Sequence, residues 1–520
     1  MPTSRQQFVV PGGLDVSAQA NQIAANNSPD ISNFVIETGR LKTAPGLAKS
    51  TTNPLMGGQP CDTVFVWREL DGTVHRLAST LTRIYEINDD GTATRRTTPD
   101  IWLRPGWVPM VDYPGWFHAA THGNSYRVVA GRGGAPLYYW DAQSYDFQRL
   151  RITYNDYSLA ELWPIASTMF WNRLCVLSPV IIDVDGGEYN EHGQRFMWSK
   201  INDMTDWDNG NAGWTDLVDT GGQNVAMKQM ACNMVVYQDN SIWNIQHVGG
   251  TDVFRPVCAL TDYGLYGSRL VQAVGQVHYF VNKYDSNVYR YQGGTVRPQV
   301  VGNNIWPNLR DDLQTAIAYP NRHFMLYEPP KNRLWIFVCG SAGGCVKAYF
   351  LDLDSGEWSV RDYSAYITTP ATKGLLGGCY DGQTDKALLL SSADGYVFDQ
   401  QTANTADVST PIAAYRISAE FDGGQPDVWK KYDTLAFEAK GATSSDTAVV
   451  AVKVDGGSGL PSTWDTLGTT ISLSTSWKKY RVPLQSMGGY KIQVKLANSS
   501  GEIIEVRSFR EPSFEPVREK

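Results

Sequence analysis

Three groups of side chains in the 520-residue chain have types and spacings that could do chemistry. His118 and His122 stand four apart, the spacing of a zinc pair on one helical face. No Glu follows His118 as it does in an H-E-x-x-H site, and Gly123-Asn124-Ser125 reads as a turn, so strand and turn are expected there. Asp183, Asp185 and Glu188 around Gly186-Gly187 have the look of a calcium loop but lack the other ligand positions of an EF-hand, so an exposed loop is the preferred reading. Asp203, Asp206 and Asp208 flank Trp207. Two of them could serve glycoside hydrolysis if they lay roughly 5 to 10 Å apart across a cleft. In turns, however, Asp and Asn cap backbone N–H groups, and that reading is preferred. The expectation is therefore of no catalytic residue, no metal ligand, no cofactor and no enzyme.

The elements that would position these groups follow a repeat. A polar turn leading into an apolar run occurs at 70–77, 123–129, 172–177, 232–237, 274–280, 331–337 and 384–389. A second, aromatic phrase follows several of these, as in Ile84-Tyr85-Glu86-Ile87, Phe196-Met197-Trp198 and Val288-Tyr289-Arg290-Tyr291. The period is roughly 45 to 57 residues, within the range of propeller blades. Connections this short suit an antiparallel meander, and small sheets with two apolar faces bury both by stacking around an axis. The expected fold is all-β: a β-propeller over 56–405, with seven blades, or six if one phrase is an insertion. The last unit supplies three strands, and its missing outer strand is expected from Gln7 to Val10. No S-x-D-x-G-x-T-W turn of the sialidase type appears in these units.

From about 411 to 520 the texture changes to short alternating strands at intervals of eight to twelve residues, the pattern of a C-terminal β-sandwich, with 402–410 as linker. Residues 1–55 form an N-terminal arm. Pro11, Pro29, Pro45 and Pro54 keep it out of central strands, and Gly12, Gly13 and Gly46 allow tight turns, so an extended arm is expected. It would dock on a neighbour or brace its own propeller.

Net charge is −8, from 45 Lys and Arg against 53 Asp and Glu, with no basic run, so a tight phosphate-gripping surface is excluded. No apolar run is long enough to span a membrane, the start has no signal-peptide core, and synthesis in a cytoplasm is expected. The seven Cys are too few and too scattered for a disulfide framework and are expected as reduced, mostly buried thiols. Of the 17 Trp, those at 140, 198, 243, 335 and 358 recur at strand positions and are expected in the core. Trp102, Trp107 and Trp116, around the Pro- and Gly-rich stretch 105–115, are the better candidates for an interface.

The arm also carries a resemblance. Gly12-Gly13-Leu14-Asp15, then Ser28-Pro29-Asp30-Ile31-Ser32-Asn33-Phe34, then Gly39-Arg40-Leu41-Lys42-Thr43-Ala44-Pro45-Gly46 resembles the opening of tail proteins from tailed bacteriophages. Met197-Trp198-Ser199-Lys200, Thr205-Asp206-Trp207 and Ile242-Trp243 ahead of Gly249-Gly250-Thr251 continue it. The nearer likeness is to the packaged-DNA stabilisation, or tail hub and nozzle, proteins of short-tailed phages. That resemblance implies a virion structural protein made in the host bacterial cytoplasm and located in the tail. It implies a homo-oligomeric ring, six copies favoured, below the head-to-tail connector, retaining packaged DNA, forming part of the exit conduit for DNA ejection and anchoring fibres or spikes. DNA would pass non-specifically, and mild acidity suits a wall that repels phosphate. Gly12, Gly13, Pro29 and Pro45 join the three Trp as candidate interface residues. The alternatives are a carbohydrate-binding tail fibre or baseplate component and a propeller glycosidase.

Overall fold

The structure, a computed structural model, describes residues 10–37, 39–98, 100–101, 114–123, 125–155, 157–185, 187, 189–250, 252–382, 388–401, 406–498 and 501–517. It is almost entirely β, built of small antiparallel sheets, with short helices at Trp306–Thr315 and Pro370–Lys373. Five four-stranded sheets and one eight-stranded sheet follow one another along the described residues. The eight-stranded sheet has two four-stranded halves joined at Cys345 and Leu375. There are thus seven four-stranded units, called the first to seventh sheets below, which begin at the strands Cys61–Arg68, Gly115–His122, Ala166–Phe170, Asn224–Met230, Val271–Val274, Phe324–Glu328 and Leu375–Cys379. The first six turn-plus-run phrases fall where the first strand of each sheet turns into the second; most of the seventh, 384–387, lies outside the described residues. The first strand of each sheet packs against the first strand of the next, and Leu375–Cys379 lies against Cys61–Arg68.

Aromatic side chains fill the space between neighbouring sheets. Trp67 of the first sheet meets Trp140 of the second at 5.8 Å between ring centroids, and Trp198 of the third meets Phe254 of the fourth edge-on at 5.1 Å. Trp335, Phe337 and Phe350 of the sixth share a core with Leu390 and Phe398 of the seventh. Sheets apolar on both faces need wide rings to close such gaps, and the five Trp expected in the core are all buried.

The seventh sheet takes its outer strand from the N-terminal segment, but from Gly46–Lys49 rather than 7–10. Leu47 lies opposite Gln400 and Lys49 opposite Phe398. Buried Pro45, which has no N–H to offer, precedes the strand, and the Leu47 amide and carbonyl on its far edge are taken up by Asp407 and Val408. Residues 7–9 lie outside the described residues, and Val10 is not in a strand.

A further four-stranded sheet was not anticipated. Its strands Arg151–Tyr154, Tyr157–Trp163, Val180–Asp183 and Tyr189–Glu191 are interleaved with those of the third sheet.

The C-terminal strands form two five-stranded antiparallel sheets whose apolar faces meet in one core, Leu435 and Phe437 from one side and Val450 and Leu496 from the other. The arm is not separate from them. Asp30–Ser32 is the edge strand of one sheet, beside Tyr415–Ile417, while Phe34–Glu37 and Arg40–Thr43 complete the other beside Ile504–Pro516. The arm expected over 1–55 lies on its own chain: Arg40–Thr43, paired with the apolar strand Phe34–Glu37, also pairs with chain more than 450 residues away.

Candidate functional site

The first strands of the seven sheets face one cavity of about 460 Å³. Trp116 and His118 point their ring nitrogens at the same hydroxyl: the Trp116 indole N–H donates to Ser167 Oγ at 2.9 Å, and His118 Nε2 lies 2.9 Å from it. With its oxygen accepting from the indole, Ser167 gives its own proton to Nε2, which leaves the other imidazole proton on Nδ1, 3.3 Å from the Ala119 carbonyl. Burial pushes the His118 pKa down to about 4, so the ring is neutral and its lone pair is used.

The charged side chains on the cavity wall are Lys228 and Arg269, with no carboxylate among its described residues. Lys228 is exposed to the cavity, yet desolvation by the protein around it pushes its ammonium pKa down. Arg269 is committed to the scaffold, donating from Nε to the Asn321 carbonyl at 3.0 Å, and from its terminal nitrogens to Arg322 O at 3.0 Å and Asp62 O at 3.3 Å. It ties the first sheet to the stretch that enters the sixth, and burial lowers its pKa to about 10. The wall can hold an anionic group through Lys228; its hydroxyl–imidazole pair, Ser167 and His118, joins a hydroxyl already engaged by Trp116 to an imidazole made a weak base by burial, with no carboxylate among the described lining residues.

A second constellation lies where the N-terminal segment, the sixth sheet and the C-terminal sheets meet. Asn33, in left-handed backbone at φ 59°, accepts at its side-chain oxygen from the Arg361 guanidinium and the Asp362 amide, each at 2.8 Å, and donates from Nδ2 to the Ala413 carbonyl at 2.8 Å. Arg361, wholly buried, also pairs with Asp407. Burial raises the Asp407 pKa even against that cation. Nearby, Gly12 and Gly13 run so close to other backbone that a Cβ on Gly13 would collide with the Trp358 carbonyl oxygen. The Leu14 amide donates to that oxygen at 2.7 Å, and the Gly13 amide to Glu357 Oε2 at 2.8 Å.

The candidate interface residues are thus dispersed. Gly12, Gly13 and Pro45 are buried against their own chain, and Pro29 is half-buried beside Ser28, whose hydroxyl donates to Ile417 O at 2.6 Å. In this structure they join parts of one chain. Trp116 sits on a strand facing the cavity, not in an irregular stretch. Trp102 and Trp107 lie outside the described residues.

The acidic groups do turn chemistry. Asp203 accepts from the Thr205 amide at 3.0 Å, Asp206 from the amides of Asp208 and Asn209, and Asp208 from the Asn155 amide at 2.6 Å. Asp183 caps Asp185, while Glu188 lies outside the described residues. His122 accepts from the Met204 amide at 3.2 Å. Sequence reasoning missed Lys228, Arg269 and the bonding of Asn33, because single Lys, Arg and Asn residues carry no spacing signal.

No protein-family model matches the sequence, and no curated protein matches it. Among solved structures the chain is similar to PorZ, described as an essential bacterial surface component of the type-IX secretion system of Porphyromonas gingivalis, at 13% identity and a TM-score of 0.29. The match covers 93% of this chain and 56% of that one, so the chain spans little more than half its length, and a superposition this loose carries no argument about function.

Proposed function

We propose that the chain is a virion structural protein, a tail hub or nozzle subunit of a short-tailed phage, built as a seven-bladed β-propeller over about 46–401 and a β-sandwich that combines 30–43 with 415–516. The propeller reading is supported by the seven sheets whose first strands face one cavity. The observation that carries the functional reading is where the phage-like motifs fall. Gly12-Gly13, Ser28 to Asn33 and Thr43 to Pro45 all lie where the N-terminal segment binds the sixth sheet or the C-terminal sheets. A subunit that retains packaged DNA transmits load between its parts, and strand exchange with buried hydrogen bonds resists shear better than a flexible linker.

On this reading the subunits form a ring, six copies favoured, below the connector, carry fibres or spikes, and let DNA pass without gripping it. Immunogold labelling of purified phage particles tests it: label at the tail vertex is expected, and particles that contain the chain nowhere would overturn it. A carbohydrate-binding tail component is the second reading, favoured by Trp171. That residue is half exposed at a hairpin tip, in left-handed backbone at φ 50°, and stacked on His247 at 4.5 Å. A bulky side chain held in that conformation is costly, and such strain gathers at binding sites. Glycan-array binding that Trp171→Ala abolishes would decide for it. The glycosidase reading is weakest, since the carboxylates that prompted it are committed to turns.

A further inference from the structure

Cys339 ends one strand of the sixth sheet, Arg333–Cys339, and Cys345 begins the next, Cys345–Asp352, across the loop Gly340-Ser341-Ala342-Gly343-Gly344. The two are cross-strand partners, just beyond a bulge where the register shifts between Val338 and Cys339. Opposed residues in an antiparallel pair have Cα atoms about 4.5 to 5.5 Å apart, inside the range of about 4.4 to 6.8 Å that a disulfide spans. Both thiols are buried and free.

The surroundings distinguish the two sulfurs. The Cys339 Sγ lies 3.6 and 3.7 Å from the ring nitrogens of buried His323. Nδ1 of that ring accepts from the Cys339 amide at 3.1 Å, which leaves Nε2–H to face the sulfur. The neighbouring Cys345 thiol, then His323 and Arg322, lower the Cys339 pKa against the opposing effect of burial. Cys345, whose Sγ lies 3.7 Å from the Arg322 carbonyl, has its pKa raised by burial and by the neighbouring thiolate. One sulfur is thus prepared to attack and the other to resolve. By contrast Cys61, Cys175 and Cys379 have their pKa values raised by burial alone or chiefly so.

We propose that Cys339 and Cys345 are a peroxide-responsive thiol pair that closes into a disulfide across the neck of this hairpin. The Cys339 thiolate attacks one oxygen of hydrogen peroxide, breaking the O–O bond; the departing hydroxide takes a proton and leaves as water, and Cys339 is left as a sulfenic acid. The Cys345 sulfur then displaces that hydroxyl as a second water, forming the S–S bond. In sum, two thiols and one peroxide give one disulfide and two waters. Peroxide is water-sized, and only Gly340 separates Cys339 from exposed Ser341. Because Cys345 is also bridged to Leu375, the first residue of the seventh sheet, the bond would fasten the hairpin at the seam between the two sheets.

The test treats the purified full-length protein with hydrogen peroxide, alkylates it with N-ethylmaleimide after unfolding, and reads tryptic peptides by mass spectrometry. Both cysteines fall on the peptide 334–347, which ends at Lys347. The expected product is that peptide two hydrogens lighter and unalkylated, with Cys61, Cys175 and Cys379 still alkylated. Cys345→Ser should trap a dimedone-reactive sulfenic acid at Cys339, and Cys339→Ser should leave Cys345 reduced. Should a variant fail to fold, the wild-type peptide decides alone. Full alkylation of 334–347 under peroxide that oxidises exposed Cys232, or oxidation of all seven thiols at one rate, would overturn the proposal.

Discussion

The side-chain oxygen of Asn33 accepts a hydrogen bond from the Arg361 guanidinium at 2.8 Å, across 328 residues of sequence. Arg361 is wholly buried and also holds Asp407, so one cation fastens the N-terminal segment and the chain leading to the C-terminal sheets to the same strand, Trp358–Asp362. Asn suits the position because it tolerates left-handed backbone and brings an acceptor and a donor together.

Asn33→Ala would leave the Asp362 amide and part of the Arg361 guanidinium buried without an acceptor, and would force an ordinary residue to positive φ. A loss of about 2–4 kcal/mol is expected from the unmet buried donors and the strain. Urea unfolding followed by tryptophan fluorescence measures it. A midpoint indistinguishable from wild type would mean that the network does not bear on stability.

Deleting residues 1–45 should unfold more than an arm. It removes the strands Asp30–Ser32, Phe34–Glu37 and Arg40–Thr43, with wholly buried Phe34 and Leu41, and exposes the apolar faces they cover. The truncated chain is expected to aggregate or to lose amide protection in 415–516 by hydrogen exchange while the strands of 61–300 stay protected. Unchanged protection at both ends would contradict the strand exchange.

The repeat was legible because each sheet announces itself twice, by a polar turn before its second strand and by an aromatic third strand. The closing strand was not, since Gly46-Leu47-Ala48-Lys49 contains no β-branched or aromatic residue and is a strand only because Val397–Gln401 offers it an edge. The same holds for Asp30-Ile31-Ser32, whose partner strand lies far along the chain, at Tyr415–Ile417. Periodicity reports which face is apolar and is silent about which distant edge will cover it. The insertion of a sheet over 151–191 was hidden for a related reason, as its strands alternate with those of the third sheet and blur the period. At the cavity, Trp116 was singled out for its irregular neighbours, whereas its indole is fixed by Ser167, a contact no spacing rule reveals.

Trp335→Ala tests the packing between the sixth and seventh sheets. The ring is wholly buried, lies 4.6 Å from that of Phe350 and donates its N–H to Glu328 Oε2 at 2.9 Å. Loss of the ring and of that donor should cost about 3–5 kcal/mol. The thermal midpoint should fall accordingly, and Trp335→Phe should recover much of the packing but not the hydrogen bond. A small shift for both variants would place the side chain wrongly.

The last prediction concerns acid. His278 is wholly buried, accepting at Nδ1 from the Tyr237 hydroxyl and donating from Nε2 to the Gln229 carbonyl, each at 3.0 Å. That arrangement fits the neutral ring, and burial lowers its pKa from 6.5 to about 4. Between these values the unfolded chain binds a proton that the folded chain refuses, so the stability this site contributes is present above the unfolded pKa and is lost as pH falls towards the folded one. The loss amounts to roughly 3 kcal/mol at full titration. His118, lowered in the same direction by burial, adds to it. Urea midpoints measured from about pH 7 to about pH 4 should therefore drop more steeply for the wild-type chain than for His278→Gln, which keeps a donor and an acceptor but does not titrate. Parallel curves would show that His278 takes up its proton as readily in the folded protein as in the unfolded one.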